Sequence, residues 1–369
     1  MILAILGDRK VDPKTGESSL PVDLIRTIAI VLVILLHASI EPYPNVDLMS
    51  PQGVQIWWAS NIYNSIAIVC IPLFVMLTGS LLLQPSKCDE PLRVFFKKRW
   101  RRIGIPVLFW GIVFFAWDFL VKGQSLTAVF LLQGILAGPY VHFWYLYALI
   151  GLYLITPVVR VVVANAKWEI IKYFLVLWFV GTGVVSLLTF SVSISPQTVW
   201  FKDNVFIFTG LIGYYIFGAY LQRLRINRAI LFAGFILSTI GTILGTYFVI
   251  GTLGAVYGRF FLDSSSLSVI IASISLFLLL ATIPNAKGQN RFPYSNRMLK
   301  VISENSLPIY LFHLIVLETL QSGYLGFKLS VTTLNPLIEI PLLTALTLVI
   351  CLAIIVPLKK LPYVKRIIG

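Results

Sequence analysis

Apolar runs of bilayer-crossing length recur from residue 24 to residue 357, and they leave few architectures open to the chain. About 20 apolar residues in a helix cross a hydrocarbon core of roughly 30 Å. The periodicity and length of the runs predict ten such helices, at roughly 24–40, 57–83, 103–121, 142–163, 170–190, 204–222, 229–250, 267–283, 301–322 and 337–357. The expected fold class is therefore all-α, a polytopic membrane helix bundle. Charged residues are only 12% of the chain, against about 25% in ordinary soluble domains. The spans are evenly spread, so residues 1–369 read as a single integral membrane domain with no soluble module at either end. Met1 to Gly7 are apolar but too few for a signal peptide, and the first span is expected to be an uncleaved targeting signal. The stretch Ser125–Ala137 is apolar but short and ends in Gly138-Pro139, so it reads as interfacial or re-entrant.

Charge placement tests the count. With ten spans and a cytoplasmic N-terminus, 25 of the 29 Lys and Arg residues fall on the inner side. Only Lys122, Lys202, Arg259 and Lys328 fall outside. Such a split follows the positive-inside rule and puts both termini in the cytoplasm, in a cell membrane. An eleventh span would move the later basic loops outside. The net charge of +14 is thus mostly topology. A basic inner face suits anionic membrane lipid, and nothing in it points to nucleic acid. The outer loops are acidic or neutral, as in Glu41-Pro42-Tyr43-Pro44-Asn45-Val46-Asp47. Cys70, Cys88 and Cys351 have neither metal-ligand spacing nor the pattern of a disulfide framework, and no metal site is expected.

The first span carries an arrangement that lipid tolerates poorly. Asp23, Arg26 and His37 lie on it, and Arg26 and His37 are eleven residues apart. Eleven residues are three turns plus about 20°, so both side chains share a face, separated by a rise of roughly 16 Å. An ionisable residue at that depth is a functional candidate. The plainer alternative is a histidine bonding a neighbouring helix. The aligned Arg26, with Asp23 three residues before it to pair with, favours function. Imidazole titrates near neutrality and can act as a general base.

Four further stretches stand out. Lys97-Lys98-Arg99-Trp100-Arg101-Arg102 precedes span three and is denser than orientation requires. Arg99 and Arg102 share a helical face there, and arginine forks suit phosphate oxygens. His142, Trp144 and Tyr145 open span four as an aromatic belt or as a floor for a sugar acceptor. In span nine, Ser306, Tyr310 and His313 share a face, with His313 near the depth of His37. Span two carries Asn64 in its outer half, then Pro72, expected to kink the helix and free a carbonyl, and Thr78-Gly79-Ser80, expected to allow close packing. Asp118 and Lys122 read as an outer-edge ion pair, and Glu318 and Gln321 as weaker acceptor candidates.

These stretches together resemble the acyltransferase-3 family of integral membrane acyltransferases. Arg26 with His37 resembles its first-helix signature, and Pro72-Leu73-Phe74-Val75-Met76-Leu77-Thr78-Gly79-Ser80 its second-helix segment. Arg99-Trp100-Arg101-Arg102 resembles its Arg-x-x-Arg element. Phe143-Trp144-Tyr145-Leu146-Tyr147 and Asn305 to His313 resemble later blocks, while Thr27 stands where a glycine is frequent. The resemblance implies O-acylation, usually acetylation, of a glycan or lipid-linked sugar, with acyl-coenzyme A (acetyl-CoA) as co-substrate and no tightly bound cofactor. It implies His37 as the catalytic residue and Arg26, Arg99, Arg101 and Arg102 in donor binding. Asp23, Asn64, His142, Trp144, Tyr145, Ser306, Tyr310 and His313 are candidates for acceptor or supporting roles. A glycan-lipid transporter or a non-catalytic partner of a polysaccharide synthase is the competing reading; thioester turnover separates them. Homo-oligomerisation stays open.

Overall fold

The computed structural model describes residues 21–40, 50–191, 210–220, 224, 226–253, 260–283, 293–324, 326–329 and 334–369. Among them every regular element is a helix. In chain order these are α1 (Val22–Ile40), α2 (Pro51–Ala67), α3 (Cys70–Leu82), α4 (Leu92–Arg99), α5 (Ile105–Leu120) and α6 (Ala128–Ala137). There follow α7 (Phe143–Asn165), α8 (Trp168–Phe179), α9 (Val185–Ser191), α10 (Leu211–Tyr220), α11 (Arg228–Leu253) and α12 (Leu267–Ala281). The last are α13 (Pro293–Glu304), α14 (Ser306–Ser322), α15 (Pro336–Leu358) and α16 (Pro362–Ile368). Wide π turns join α4 to α5 at Trp100–Gly104 and α8 to α9 at Val180–Val184.

Seven stretches are long and apolar enough to cross a membrane: Val22–Ile40, Pro51–Leu82, Leu92–Leu120, Phe143–Asn165, Trp168–Leu188, Arg228–Thr252 and Pro336–Leu358. An eighth is made if α13 and α14, bent by 75°, count as one. The chain is a multi-pass membrane protein. The two remaining expected spans correspond to α10 and α12, whose 10 and 15 described residues reach only about 15 and 22 Å. Part of the expected span 204–222 lies outside the described residues, as do the loop Glu41 to Asp47, Met1 to Gly7, and Arg9, Lys10, Lys14, Lys202, Arg223, Arg225, Arg259, Lys287 and Arg291. Helix α6 has 10 residues, about 15 Å, too short to cross, as the re-entrant or interfacial reading expects.

Local chemistry explains where the helices break. Pro72 offers no amide proton to the carbonyl of Ile68 four residues earlier, and the α2–α3 junction falls at Ile68 and Val69. Asn305 breaks the ninth expected span into α13 and α14, its side-chain amide donating back to the Val301 carbonyl at 2.7 Å. Helix α1 has no such breaker and runs unbroken. Ile25, Ala29, Ile30 and Ile34 on it are fully buried. It packs against α2, α3, α12, α13, α14 and α15.

The tightest packing is between α3 and α10. A Cβ on Gly79 would lie 1.8 Å from the Tyr215 carbonyl oxygen, and one on Gly218 would lie 1.9 Å from that of Met76. Backbone meets backbone there, which only glycine permits, in keeping with the packing role expected of Thr78-Gly79-Ser80. Gly218→Ala is expected to destabilise the bundle by at least about 1–3 kcal/mol, the usual cost of overpacking. Thermal unfolding of the detergent-purified protein reads this; an unchanged midpoint would contradict so close a contact.

Candidate functional site

At the foot of α1 the bundle opens into a cavity of about 280 Å³. Its charged wall is Arg26, Lys87, Arg99 and Arg102, and its apolar wall comes from α3 and α7, including Phe74, Leu77 and Leu149. Ser306, Tyr310 and Tyr145 line it as well. Six residues singled out in the sequence (Arg26, Arg99, Arg102, Tyr145, Ser306 and Tyr310) thus meet around one space. The π turn shapes the basic side. Arg99 closes α4 and Arg102 lies within the turn, and both reach the cavity. Arg101 faces away, into a neighbouring cleft with Lys365 and Arg366. Gly104 leaves room for the Trp100 ring, which a Cβ would meet at 2.3 Å.

Arg26 is held by a hydroxyl. Its Nη1 donates to Ser303 Oγ at 3.2 Å, and Ser303 donates to Asp23 Oδ1 at 2.7 Å. Asp23 and Arg26 are therefore bridged through α13 instead of forming the direct pair expected from their spacing. Thr27 adds a second tie, donating to the Leu299 carbonyl at 3.0 Å. Among the described residues, Arg26, Arg99 and Arg102 make no ion pair. Arg99 Nε is buried without a hydrogen-bond partner. Its guanidinium lies over Phe95 and Tyr153, 5.2 and 5.5 Å from the ring centres.

Lys87 was counted in the sequence only as an inner-side charge, yet it lines the cavity. Its ammonium donates to the Leu81 carbonyl. Burial first, then the Arg160 and Arg99 guanidiniums, hold it below the ordinary lysine range. Arg160, 3% exposed within α7, fixes the loop that carries it. Its Nε donates to the Leu82 carbonyl at 2.7 Å, and Nη1 reaches the Lys87 carbonyl and Glu90 Oε2, each at 3.1 Å. Glu90, hydrogen-bonded by Lys98 and then by Arg160 against its partial burial, is held below the usual carboxylate range. A lone arginine inside an apolar run is the signal that marks Arg160.

Above the cavity stand all three histidines of the chain. The His37 and His313 rings are 5.1 Å apart, and His313 and His142 are 5.5 Å apart. His313 Nδ1 lies 2.7 Å from the Tyr310 carbonyl oxygen. A carbonyl only accepts, so Nδ1 carries the proton and the neutral ring keeps its lone pair on Nε2. That Nε2 is buried without a hydrogen-bond partner, as are both ring nitrogens of His142. Tyr310 donates to the His142 carbonyl at 2.6 Å, which ties the start of α7 to α14. The rings stand in file rather than around a point. No group of three or more His, Cys, Asp or Glu is arranged to hold a metal among the described residues. His37 does not line the cavity; its ring meets His313, which is 5.9 Å ring to ring from the cavity-lining Tyr310.

Beyond His142 lies a cluster of ions. Lys122 lies 3.2 Å from Asp118 and 2.6 Å from Glu318, and Tyr140 donates to Glu318 at 2.5 Å. The Asp118–Lys122 pair is present as the spacing suggests, and Glu318 is engaged by it and by Trp117 at 3.0 Å. Two further candidates, besides Arg101, are not brought to the site. Trp144 is 47% exposed on the outer surface of α7, and Asn64 is buried on α2 with its Oδ1 unpartnered, away from the cavity lining.

Comparison with known proteins bears on this arrangement directly. No curated protein and no solved structure matches the chain. A family described as an acyltransferase domain matches residues 21–356, which takes in every helix from α1 almost to the end of α15. The basic cavity and the histidine file both fall within that stretch, and the chain belongs to the acyltransferase-3 family.

Proposed function

We propose that this acyltransferase moves an acyl group, most readily acetyl, from acyl-coenzyme A to a hydroxyl of a cell-surface or secreted glycan. In this reading the chain is one domain of ten spans in the cytoplasmic membrane, with both termini inside. The observation that carries it is the alignment on α1. Arg99, Arg102 and Lys87 converge around Arg26 with no ion pair among the described residues. The face of the same helix leads roughly 16 Å upward to His37.

The chemistry divides accordingly. Donor phosphates take the guanidiniums, whose forks match them. The thioester arm extends along α1, past Tyr145 and Tyr310, whose side chains have to turn aside. The acceptor hydroxyl gives its proton to His37 as its oxygen attacks the thioester carbonyl. The carbon–sulfur bond breaks, and the departing thiolate takes that proton, leaving an ester and free coenzyme A. A relay through an acyl-imidazole uses the same residues in two steps.

Incubation of purified protein with labelled acetyl-coenzyme A and a crude envelope glycan extract tests this. Thioester loss with label on glycan is expected. A folded protein that neither binds nor consumes the donor would overturn the reading.

A further inference from the structure

We propose that the cleft bounded by α16 is a second anion subsite of the donor, taking the 3′-phosphate on the ribose of coenzyme A. The proposal rests on the donor reading above. Coenzyme A carries two separate anionic groups: the pyrophosphate, which joins pantetheine to adenosine, and a monoester phosphate on the ribose. The protein has two matching basic spaces. One is the cavity at the foot of α1. The other is a cleft of about 460 Å³ lined by the cations Arg101, Arg102, Lys365 and Arg366 together with Ile105 and Gly369. Arg102 belongs to both, so a single ligand lying across Arg102 touches the two.

Helix α16 is built into the bundle, not trailing from it. Trp110 Nε1 donates to the Ile368 carbonyl at 3.2 Å, and Ile368 is 3% exposed. A Cβ on Gly369 would meet Leu307 at 3.0 Å, so the end of α16 lies against the first turn of α14. Lys365 and Arg366 are thereby fixed beside the π turn. Among the described residues no carboxylate pairs with any of the four cations. Their charge is felt nearby. Burial first, then Lys365 and Arg102 against the opposing Glu304, push the Lys359 ammonium down. A phosphate monoester carries about −1.5 to −2 near pH 7, and such a cluster favours it over a neutral hydroxyl. Lys365 and Arg366 lie beyond the family match at residues 21–356, so their part in the subsite is read from the present chain alone.

The test compares coenzyme A with 3′-dephospho-coenzyme A by calorimetry in detergent free of anionic lipid. It uses the full-length protein and a Lys365→Gln/Arg366→Gln variant. Wild type is expected to bind coenzyme A about tenfold or more tightly, the scale of charge-assisted hydrogen bonds. The variant should bind coenzyme A as weakly as wild type binds the dephospho form, with affinity for the dephospho form unchanged. Equal affinities in wild type, or a preference that survives in the variant, would overturn the subsite. If phosphatidylglycerol stabilises wild type but not the variant while the nucleotide preference is intact, the cleft holds lipid headgroups and the proposal fails. A folded wild type that binds neither nucleotide would instead overturn the donor reading itself.

Discussion

Replacement of His37 by alanine is expected to lower turnover by at least about 10²–10⁴, the usual contribution of a positioned base, while donor affinity stays within about twofold. The asymmetry follows from the geometry. His37 lines no part of the cationic cavity; its ring lies against that of His313, which in turn lies against the cavity-lining Tyr310. Its deletion removes no contact to a phosphate. It does remove the one imidazole of the three on the helix that carries Arg26. His37→Gln keeps a polar side chain of similar bulk and should lose as much activity as alanine, which separates chemistry from packing. Normal turnover in either variant, with the protein folded, would sink the role assigned to His37.

The neighbouring rings refine this expectation. His313 offers an unpartnered Nε2 toward a file that ends at His142. Protons in such a file belong to the group of rings rather than to one of them. Activity should fall as pH drops and the file takes up a proton, because a cationic base cannot accept another. His313→Gln is expected to change the position or steepness of that acid limb. A variant altered only in stability would keep the limb where it is.

How much of this was legible beforehand depended on whether the cause is local. The α1 arrangement was, because helical periodicity fixes the relation of Arg26 to His37 without help from the rest of the chain. The shared face of Ser306, Tyr310 and His313 was legible for the same reason. The meeting of His37, His142 and His313 was not, since they lie on three helices far apart in sequence and only tertiary packing brings their rings to about 5 Å. Charge counting hid other residues. Lys87 and Arg160 contribute to orientation like any basic residue, and counting cannot reveal that one lines the cavity while the other pins its loop. Arg101 entered only through the family resemblance, whereas the three-residue spacing pairs Arg99 with Arg102, and these two line the cavity while Arg101 lines the neighbouring cleft. The break at Asn305 carries the same mark as the α2–α3 junction, since Pro308 withholds an amide proton from the Glu304 carbonyl as Pro72 does from Ile68, although the ninth span was expected to run unbroken.

Changing Arg99 and Arg102 together to glutamine is expected to weaken donor binding by at least about 10²-fold, since hydrogen bonds to charged groups each contribute about 1.5–3 kcal/mol. The two losses need not add, because both side chains line one cavity. Glutamine keeps length and polarity, so the change is chiefly one of charge and of the guanidinium fork. Arg99 carries the larger share of the expected effect: its Nε is buried with no hydrogen-bond partner in the protein. Lys97→Gln supplies the control, because Lys97 is exposed and lines neither basic space. If the cluster acts by uniform binding, the Michaelis constant for the donor rises while turnover at saturation is kept. Salt should show the same division. Raising ionic strength screens exposed charge and should weaken wild-type binding more than binding by the double variant, which has fewer charges left to screen. Unchanged affinity in Arg99→Gln/Arg102→Gln would reduce the cluster to an orientation anchor and leave the unpaired cavity charges without a ligand.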